Sequence, residues 1–294
     1  MAGAVALVSG CSVSHKTVVK PSEAPGPLLT ATKAELIARY NQQAQAVNSV
    51  NASVTMKLTA GSAYSGVIEQ YHETNAFILA SRPSFIRVIG QAPVVGKNIF
   101  DMVSDGTTFH IFIPSKNKFI EGPAGLERPA KKPVENLRPQ HILDALFWAP
   151  IPGDKAVLFE EAEEAGSRFY VITLVGGVIG AFQSSAAQAL VISKMVIERK
   201  IWFDRLDLNV SRVEIYTPEG KVTSDVRYSA WDKVNGVAYA RQITLARPGD
   251  DYKLEITVKK MSLNEAIAAE KFVLPQPPGT ELVRVGEDAA KEQP

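Results

Sequence analysis

The sequence has few of the residues on which cross-links and metal sites depend. Cys11 is the only cysteine in 294 residues, so the chain forms no internal disulfide, and the cysteine frameworks that hold structural zinc are excluded. The histidines are scattered along the chain rather than clustered: His15, His72, His110 and His141. The sequence therefore predicts no metal and no cofactor.

Strong charge and long apolar runs are also missing. The formal net charge is +1, whereas a nucleic-acid-binding protein needs a basic face to displace the counterions of phosphates. No apolar run reaches the roughly 18 residues that a membrane-spanning helix requires. The hydrophobic residues, 46% of the chain, therefore predict a folded protein with a sizeable core and no nucleic-acid partner.

The partial matches to catalytic motifs lack residues or spacings that those motifs require. His72-Glu73 lacks the second histidine of a zinc-protease helix, and Val95-Gly96-Lys97 lacks the other residues of a phosphate-binding loop. The glycines between Gly176 and Gly180 do not have the dinucleotide-binding spacing, and no nucleophile elbow surrounds Ser9 or Ser104. We therefore predict that the protein is not an enzyme, with a small-molecule hydrolase as the remaining catalytic alternative.

The N-terminus resembles a bacterial lipoprotein signal. A short apolar run ends in Val8-Ser9-Gly10-Cys11, with small residues before the cysteine. The resemblance implies a signal peptide at residues 1–10, cleavage before Cys11 and lipidation of Cys11. Its acyl chains, at about 0.8 kcal/mol per buried CH₂, would anchor a domain that has no membrane-spanning helix. Residues 11–30 are rich in proline and predict a flexible tether.

The most strongly patterned stretch runs over residues 76–122. It predicts four or five β-strands that change direction at proline- and glycine-containing turns. Apolar residues recur in it at a spacing of two, which places each set on one face of a sheet: Phe77 and Leu79, Ile86 and Val88, Phe109 and Ile111. An earlier strand alternates in the same way, with Met56 and Leu58 on one face.

Two helices interrupt the strands. Thr32, with Glu35 three residues later, forms the pattern of a capping box that opens a helix ending near residue 48. A second helix is predicted over residues 139–148, beginning at Pro139 and carrying Ile142 and Leu146. This second helix is too apolar to face water on all sides, so we interpret it as a lid or plug.

The second half of the chain continues as strands with short hairpin turns. Residues 176–189 form an apolar insertion rich in glycine, alanine and serine, which predicts either a loop that enters a membrane or cavity or a disordered hairpin tip. The predicted fold class is mainly β with a few helices. We expect a curved antiparallel half-barrel of about 10–11 strands, covered by short helices and enclosing a hydrophobic cavity. This domain is predicted at residues 31–285, followed by a loose tail at 286–294.

These elements and motifs resemble the bacterial lipoprotein carrier LolA and the outer-membrane receptor LolB. The resemblance spans roughly residues 32–275 and rests on element order together with S-R-P-S-F-I-R, Q-A-P-V-V-G and F-H-I-F-I-P. It implies that Arg82 bonds to the lid helix and keeps the cavity shut, as a lid latch. It also implies that Val94 and Val95, in place of the receptor's exposed leucine, form a loop that probes the membrane.

The resemblance further implies a function in binding rather than in chemistry. Apolar residues of the strands and lid would enclose acyl chains: Met56, Leu58, Phe77, Leu79, Ile86, Val88, Phe109, Ile111, Ile142 and Leu146. The partners would be acylated lipoproteins or lipids, a membrane held through Cys11, and a soluble LolA-type carrier. The location would be the bacterial cell envelope, on the periplasmic side of the outer membrane. The alternative is a structural or assembly lipoprotein that uses the same fold as a protein-docking platform.

Overall fold

The computed structural model describes residues 26–62, 67–93, 95–126, 136–181 and 190–286. Within these ranges all strands belong to one sheet, and two helices, α1 (Lys33–Ala46) and α2 (Pro139–Leu146), pack against it. The strands are β1 (Ser49–Ser62), β2 (Val67–Gln70), β3 (Thr74–Ser81), β4 (Phe85–Gln91), β5 (Asn98–Ser104), β6 (Thr108–Ile113), β7 (Lys118–Pro123), β8 (Ala156–Glu164), β9 (Ser167–Ala181), β10 (Leu190–Asp204), β11 (Val210–Tyr216), β12 (Val222–Val234), β13 (Val237–Arg247), β14 (Tyr252–Leu263) and β15 (Glu281–Arg284).

The sheet consists of two antiparallel meanders joined at their inner strands. One meander runs from β3 to β7 and the other from β8 to β14, and β1 lies between β3 and β14 and pairs with both. β15 adds to the edge strand β7 in parallel. Among the described residues β8 and β15 do not pair with each other, so the sheet is an open, curved half-barrel as the sequence predicts.

The core shows how strongly the sheet curves. Ile86 of β4 and Val213 of β11 belong to one hydrophobic cluster, together with Leu36 of α1 and Ile142 of α2. β4 and β11 are six steps apart in the sheet order, a separation of roughly 29 Å in a flat sheet at about 4.8 Å per step. The eight-residue helix α2, about 12 Å long, contacts β4 and β5 as well as β13, which lie four and five steps apart in the sheet order, so the sheet bends around it. We call the face toward the helices the inner face.

Both helices begin as the sequence predicts. The backbone N–H of Thr32 donates to the Glu35 carboxylate at 2.7 Å, and the Glu35 N–H donates to the Thr32 hydroxyl at 3.3 Å, which completes the capping box. α2 begins at Pro139, where the missing N–H costs no helical bond. Its last turn closes with the Phe147 N–H donating to the Leu143 carbonyl at 2.9 Å.

The chain after β14 crosses the outer face toward the far edge of the sheet. The ring of Phe272 packs against that of Phe85 at 5.5 Å, and Arg87 donates to the Lys271 carbonyl at 2.9 Å. Arg87 is also paired with Asp101 at 2.7 Å. This segment therefore covers part of the outer face before β15 joins β7.

The strand count and the predicted insertion need correction. The sheet has 15 strands in the described residues rather than 10–11, because four-residue strands such as β2 and β15 are too short to show a period in the sequence. Residues 176–181 extend β9, whereas a loop or a disordered hairpin tip was predicted to begin at residue 176; residues 182–189 lie outside the described residues. A Cβ at Gly176 would meet the carboxylate of Glu198, which Lys155 binds at 2.6 Å, so a larger residue there would displace that flexible side chain.

Candidate functional site

The second helix and the residues after it cover the inner face. We call residues 139–151 the lid segment. Seven of its side chains are at most 9% exposed and belong to the core cluster: Ile142, Leu143, Ala145, Leu146, Phe147, Trp148 and Ile151. The lid segment is thus an apolar cover on an apolar face, as the sequence predicts.

Tyrosine hydroxyls from the sheet bind the carbonyl end of the lid helix. The Tyr228 hydroxyl donates to the Ala145 carbonyl at 2.9 Å, and the Tyr239 hydroxyl donates to the Leu146 carbonyl at 3.1 Å. The last carbonyls of a helix have no partner within the helix, and buried ones need a donor. Burial raises the pKa of both tyrosines, so both hydroxyls keep their protons and remain donors.

Arg82 connects the lid segment to the first helix. Its Nη2 donates to the Ala44 carbonyl at 2.8 Å and to the Trp148 carbonyl at 2.9 Å, and its Nε donates to the Val47 carbonyl at 3.0 Å. Its guanidinium also lies 5.0 Å from the centre of the Phe147 ring. Arg82 therefore lies at the position where a lid latch would act.

The end of the lid segment is held by α1. Arg199 donates to the Ala149 carbonyl at 2.6 Å, and the Tyr40 hydroxyl donates to the same oxygen at 3.2 Å. The side chain of Asn41 bonds to both the N–H and the carbonyl of Ile151, at 2.7 and 3.0 Å. Apart from apolar packing, the lid is thus attached mainly by hydrogen bonds between side chains outside the lid and the main chain of the lid.

His141 is the buried titratable group of the lid helix. Its Nδ1 lies 2.7 Å from the Tyr252 hydroxyl. Burial, together with the positive charges of Arg247 and Arg138, lowers the pKa of His141 from 6.5 to about 3. The imidazole is therefore neutral at physiological pH.

The space beneath the lid is filled by the protein's own side chains. A void of about 20 Å³, room for roughly one water molecule, remains between the lid, Arg82 and the end of α1. Of the ten residues predicted to line a lipid cavity, Leu146 is the one that borders this void. With the lid in place, the predicted hydrophobic cavity is therefore occupied by the lid.

The structure places eight of the ten predicted cavity residues on the inner side. The buried ones are Met56, Ile86, Val88, Phe109, Ile142 and Leu146, and Leu58 and Ile111 are partly buried against the core cluster. Phe77 and Leu79 face outward, and Phe77 is 47% exposed, so their predicted placement is wrong. Their neighbours Ala76, Ile78 and Ala80 face inward instead, because a one-residue shift in a strand exchanges the two faces.

The remaining predicted site residues lie away from the lid. Val95 is 74% exposed at the turn between β4 and β5, and Val94 beside it lies outside the described residues. Cys11 also lies outside the described residues. Lipidation at Cys11 and membrane contact at Val94 and Val95 remain predictions.

Sequence reasoning missed the polar groups that hold the lid. Tyr228 and Tyr239 lie in strands with ordinary alternation of apolar and polar residues. Nothing in their spacing indicates hydrogen-bond partners that lie 83 and 93 residues earlier in the chain. Arg199 was missed for the same reason. A weak signal was available, because tyrosine on an apolar strand face carries a hydroxyl that must find a partner when buried.

The described ranges contain neither a metal-binding cluster nor a membrane-spanning helix. No group of three or more His, Cys, Asp or Glu side chains there is arranged to hold a metal ion. In those same ranges, no helix has the length and hydropathy needed to cross a bilayer.

No protein-family model and no curated protein matches the chain. Among solved structures, it is similar to a LolA superfamily protein from Nitrosomonas europaea, with 13% identity and a TM-score of 0.46 over 83% of this chain and 99% of that one. It is also similar to a DUF1329 family protein from Desulfovibrio piger, with 11% identity and a TM-score of 0.49 over 81% and 95%. A third is a domain from Vibrio parahaemolyticus described as an outer membrane lipoprotein-sorting protein, with 10% identity and a TM-score of 0.43 over 80% and 94%.

The matching structures thus include the superfamily that the sequence resembles. At these identities and TM-scores, the function has to be inferred from the chain's own residues.

Replacing Arg82 by alanine is expected to lower the free energy of unfolding by about 2–4 kcal/mol, because three carbonyls lose a charged donor. Urea denaturation followed by circular dichroism measures the change. Arg241→Ala is the matched control, since Arg241 pairs with the exposed Asp232 and such surface pairs contribute little to stability. Equal losses in the two variants would refute a special role for Arg82 in holding the lid.

Proposed function

We propose that this protein binds acyl chains of lipids or lipidated proteins on the inner face of its half-barrel, after the lid segment moves aside. The inner face is apolar across both meanders and is covered by a segment whose own inward side chains are apolar. If the lid leaves, this surface must be covered again, and burial of apolar surface contributes about 25 cal/mol per Å². Acyl chains provide such a cover without directional bonds, so they can be both taken up and released.

The observation that carries this proposal is the way in which the lid is attached. Five of its carbonyls, those of Ala145, Leu146, Trp148, Ala149 and Ile151, accept bonds from side chains outside the lid. Water can replace such donors at a small net cost, because a typical intramolecular hydrogen bond contributes only about 1 kcal/mol net. An attachment of this kind suits a cover that opens and closes.

The location and the route of the cargo extend the same proposal. Cys11 would carry the lipid anchor, with the domain facing the periplasm from the outer membrane. A soluble LolA-type carrier would deliver acylated lipoproteins, and Val94 and Val95 would touch the membrane during transfer. The exposure of Val95, at 74%, supports a contact at this turn. The role is one of binding and transfer, without catalysis.

A protein-docking platform is the second candidate function. The packed core beneath the lid favours it, since the void between the lid, Arg82 and α1 has a volume of about 20 Å³. In this case the lid would be a permanent part of the core and the outer surface would bind a partner protein.

Loading experiments distinguish the two functions. The full chain with Cys11→Ser, purified in a gentle buffer, is examined by native mass spectrometry and then titrated, after delipidation, with a fluorescent fatty acid. Acyl-chain binding predicts either a co-purifying lipid mass or saturable uptake of the fatty acid. An empty protein that takes up no fatty acid in any variant would exclude acyl-chain binding and favour the docking platform.

Variants of the lid attachment sharpen the test. Tyr228→Phe combined with Tyr239→Phe removes two hydroxyls from the lid carbonyls, and we expect uptake of the fatty acid to become roughly tenfold faster or more. Tyr71→Phe is the matched control, because that hydroxyl bonds to the exposed Glu69 at 2.8 Å, away from the lid. Unchanged uptake rates in the double variant would contradict opening of the lid.

A further inference from the structure

A second opening lies on the solvent side of the first helix. It is a cleft of about 360 Å³ between α1, the turn that joins β10 to β11 and the turn that joins β12 to β13. This volume is within the range of roughly 300–1,000 Å³ of small-molecule sites. None of the ten residues predicted to line a lipid cavity borders the cleft, although Trp148 of the lid segment borders both the cleft and the void beneath the lid.

One wall of the cleft is aromatic. Tyr40 and Trp148 stack with ring centres 5.2 Å apart, and Trp231 meets Trp148 edge-on at 6.0 Å. All three rings border the cleft, and Leu208 and Val237 add aliphatic surface beside them. This wall suits the apolar part of a ligand.

The opposite wall is polar and carries one cation. Arg39, Gln42 and Gln43 border the cleft at helical spacing on α1, and Arg39 is the one ionisable side chain of the lining apart from the Tyr40 hydroxyl. The Tyr40 hydroxyl is already bonded to the Ala149 carbonyl. Gln43 is likewise engaged, since its amide donates to the Ala238 carbonyl.

Arg39 is held in position without being neutralised. Its Nη2 donates to the Asp207 carbonyl at 3.3 Å and to the Asn209 side-chain oxygen at 2.8 Å. No ion pair joins Arg39 to a described residue, and its Nε and Nη1 donate to none of them. The Asp207 carboxylate accepts from the backbone N–H and the side-chain amide of Asn209, at 2.8 and 2.7 Å. An exposed arginine is ordinarily a solvated surface charge, but this one is fixed beside an aromatic-walled cleft.

We propose that this cleft binds a small amphipathic anion, with its carboxylate or phosphate on Arg39 and its apolar part against Trp148 and Trp231. A planar guanidinium with free N–H groups binds such oxygens in a bidentate manner, and charge-assisted bonds of this kind are stronger than neutral ones. An inorganic anion has no apolar part to bury against the aromatic wall, and a neutral amphiphile has no charge to pair with Arg39. Both are therefore expected to bind more weakly than an amphipathic anion. This site does not require the lid to open, so it goes beyond acyl-chain binding on the inner face.

The test compares three probes on the full Cys11→Ser chain by isothermal titration calorimetry. Octanoate has both features of the proposed ligand, octanol lacks the charge, and inorganic phosphate lacks the apolar part. We expect octanoate to bind more tightly than either of the other two. Arg39→Gln is expected to weaken octanoate binding about tenfold or more, as loss of a charge-assisted bond does.

Two further variants localise the binding. Leu208→Asp, which places a negative charge in the cleft wall, is expected to weaken octanoate binding as well, whereas Arg241→Gln, an arginine paired with Asp232, is expected to leave it unchanged. The proposal is overturned if octanoate does not bind, if octanol binds equally well, or if Arg39→Gln binds octanoate like the unchanged chain. The long-chain fluorescent fatty acid also carries a carboxylate, so its uptake by the Tyr228→Phe and Tyr239→Phe double variant is measured in the Arg39→Gln background. Uptake there reports on the lid site, so failure of one site is distinguishable from failure of the other.

Discussion

Acidification from pH 6.5 towards pH 3 is expected to lower the free energy of unfolding by about 4 kcal/mol through His141 alone. The pKa of His141 falls from 6.5 in the unfolded chain to about 3 in the folded protein, because the imidazole is buried near Arg247 and Arg138. Between these two values the unfolded chain takes up a proton that the folded protein does not, so each step down in pH favours unfolding. Below about pH 3 both states hold the proton and this loss stops.

One neighbouring group acts in the opposite direction. The pKa of Asp144 on the same helix is raised by desolvation, so the folded protein takes up that proton earlier than the unfolded chain. Protonation of Asp144 therefore offsets part of the loss that comes from His141. The net effect is a lid helix that is held firmly at neutral pH and weakened in acid.

Urea denaturation at a series of pH values measures this effect. His141→Asn is expected to remove most of the difference in stability between pH 6.5 and about 3, because the amide does not titrate. His72→Asn replaces an exposed histidine and is expected to keep the full pH dependence. If His141→Asn has the same pH dependence as the unchanged chain, His141 is not the group that weakens the lid.

Local signals in the sequence were enough for the architecture. The alternation around Met56, the capping box at Thr32 and Glu35, and Pro139 as a helix start all describe neighbouring residues, and each element forms where it was predicted. The covering of an apolar sheet by an apolar helix follows from the need to bury both surfaces. These signals suffice because they act over a few residues.

The inner face of β3 could not be predicted because both of its faces are apolar. Phe77 and Leu79 alternate with Ala76, Ile78 and Ala80, and a spacing of two describes both sets equally well. The register decides between them: Ile78 pairs with Ala52 of β1 and with Val88 of β4, whose side chains face the helices. This register depends on pairing between strands and is not encoded within β3.

Some of the polar residues that hold the lid could be identified from the sequence and others could not. Arg82 was identified through a resemblance in a short motif, and it does bond to α1 and to the lid segment just after α2, although its role as a latch remains to be measured. Tyr228, Tyr239 and Arg199 carry no such motif. Their partners are main-chain carbonyls of the lid, which every residue possesses, so nothing in the sequence marks the contact.

Replacing Trp148 by alanine is expected to lower the free energy of unfolding by about 3–5 kcal/mol and to open the interior to ligands. Trp148 is 9% exposed, stacks on Tyr40 at 5.2 Å and meets Tyr228 edge-on at 5.3 Å. Removal of a buried aromatic side chain costs the transfer free energy of the lost atoms and leaves a cavity. Urea denaturation measures the loss of stability.

The position of Trp148 predicts more than a loss of stability. Its side chain borders both the void of about 20 Å³ beneath the lid and the cleft of about 360 Å³ outside it. Trp148→Ala is expected to join the void and the cleft and to increase uptake of a fluorescent fatty acid severalfold. Trp148→Phe retains a ring between the two spaces, so its uptake is expected to stay close to that of the unchanged chain. Trp202→Ala is the matched control, because Trp202 bonds to Glu214 at 2.8 Å and borders neither space. If both alanine variants lose stability but neither takes up more fatty acid, the space beneath the lid is core rather than binding site, and the docking-platform function gains support.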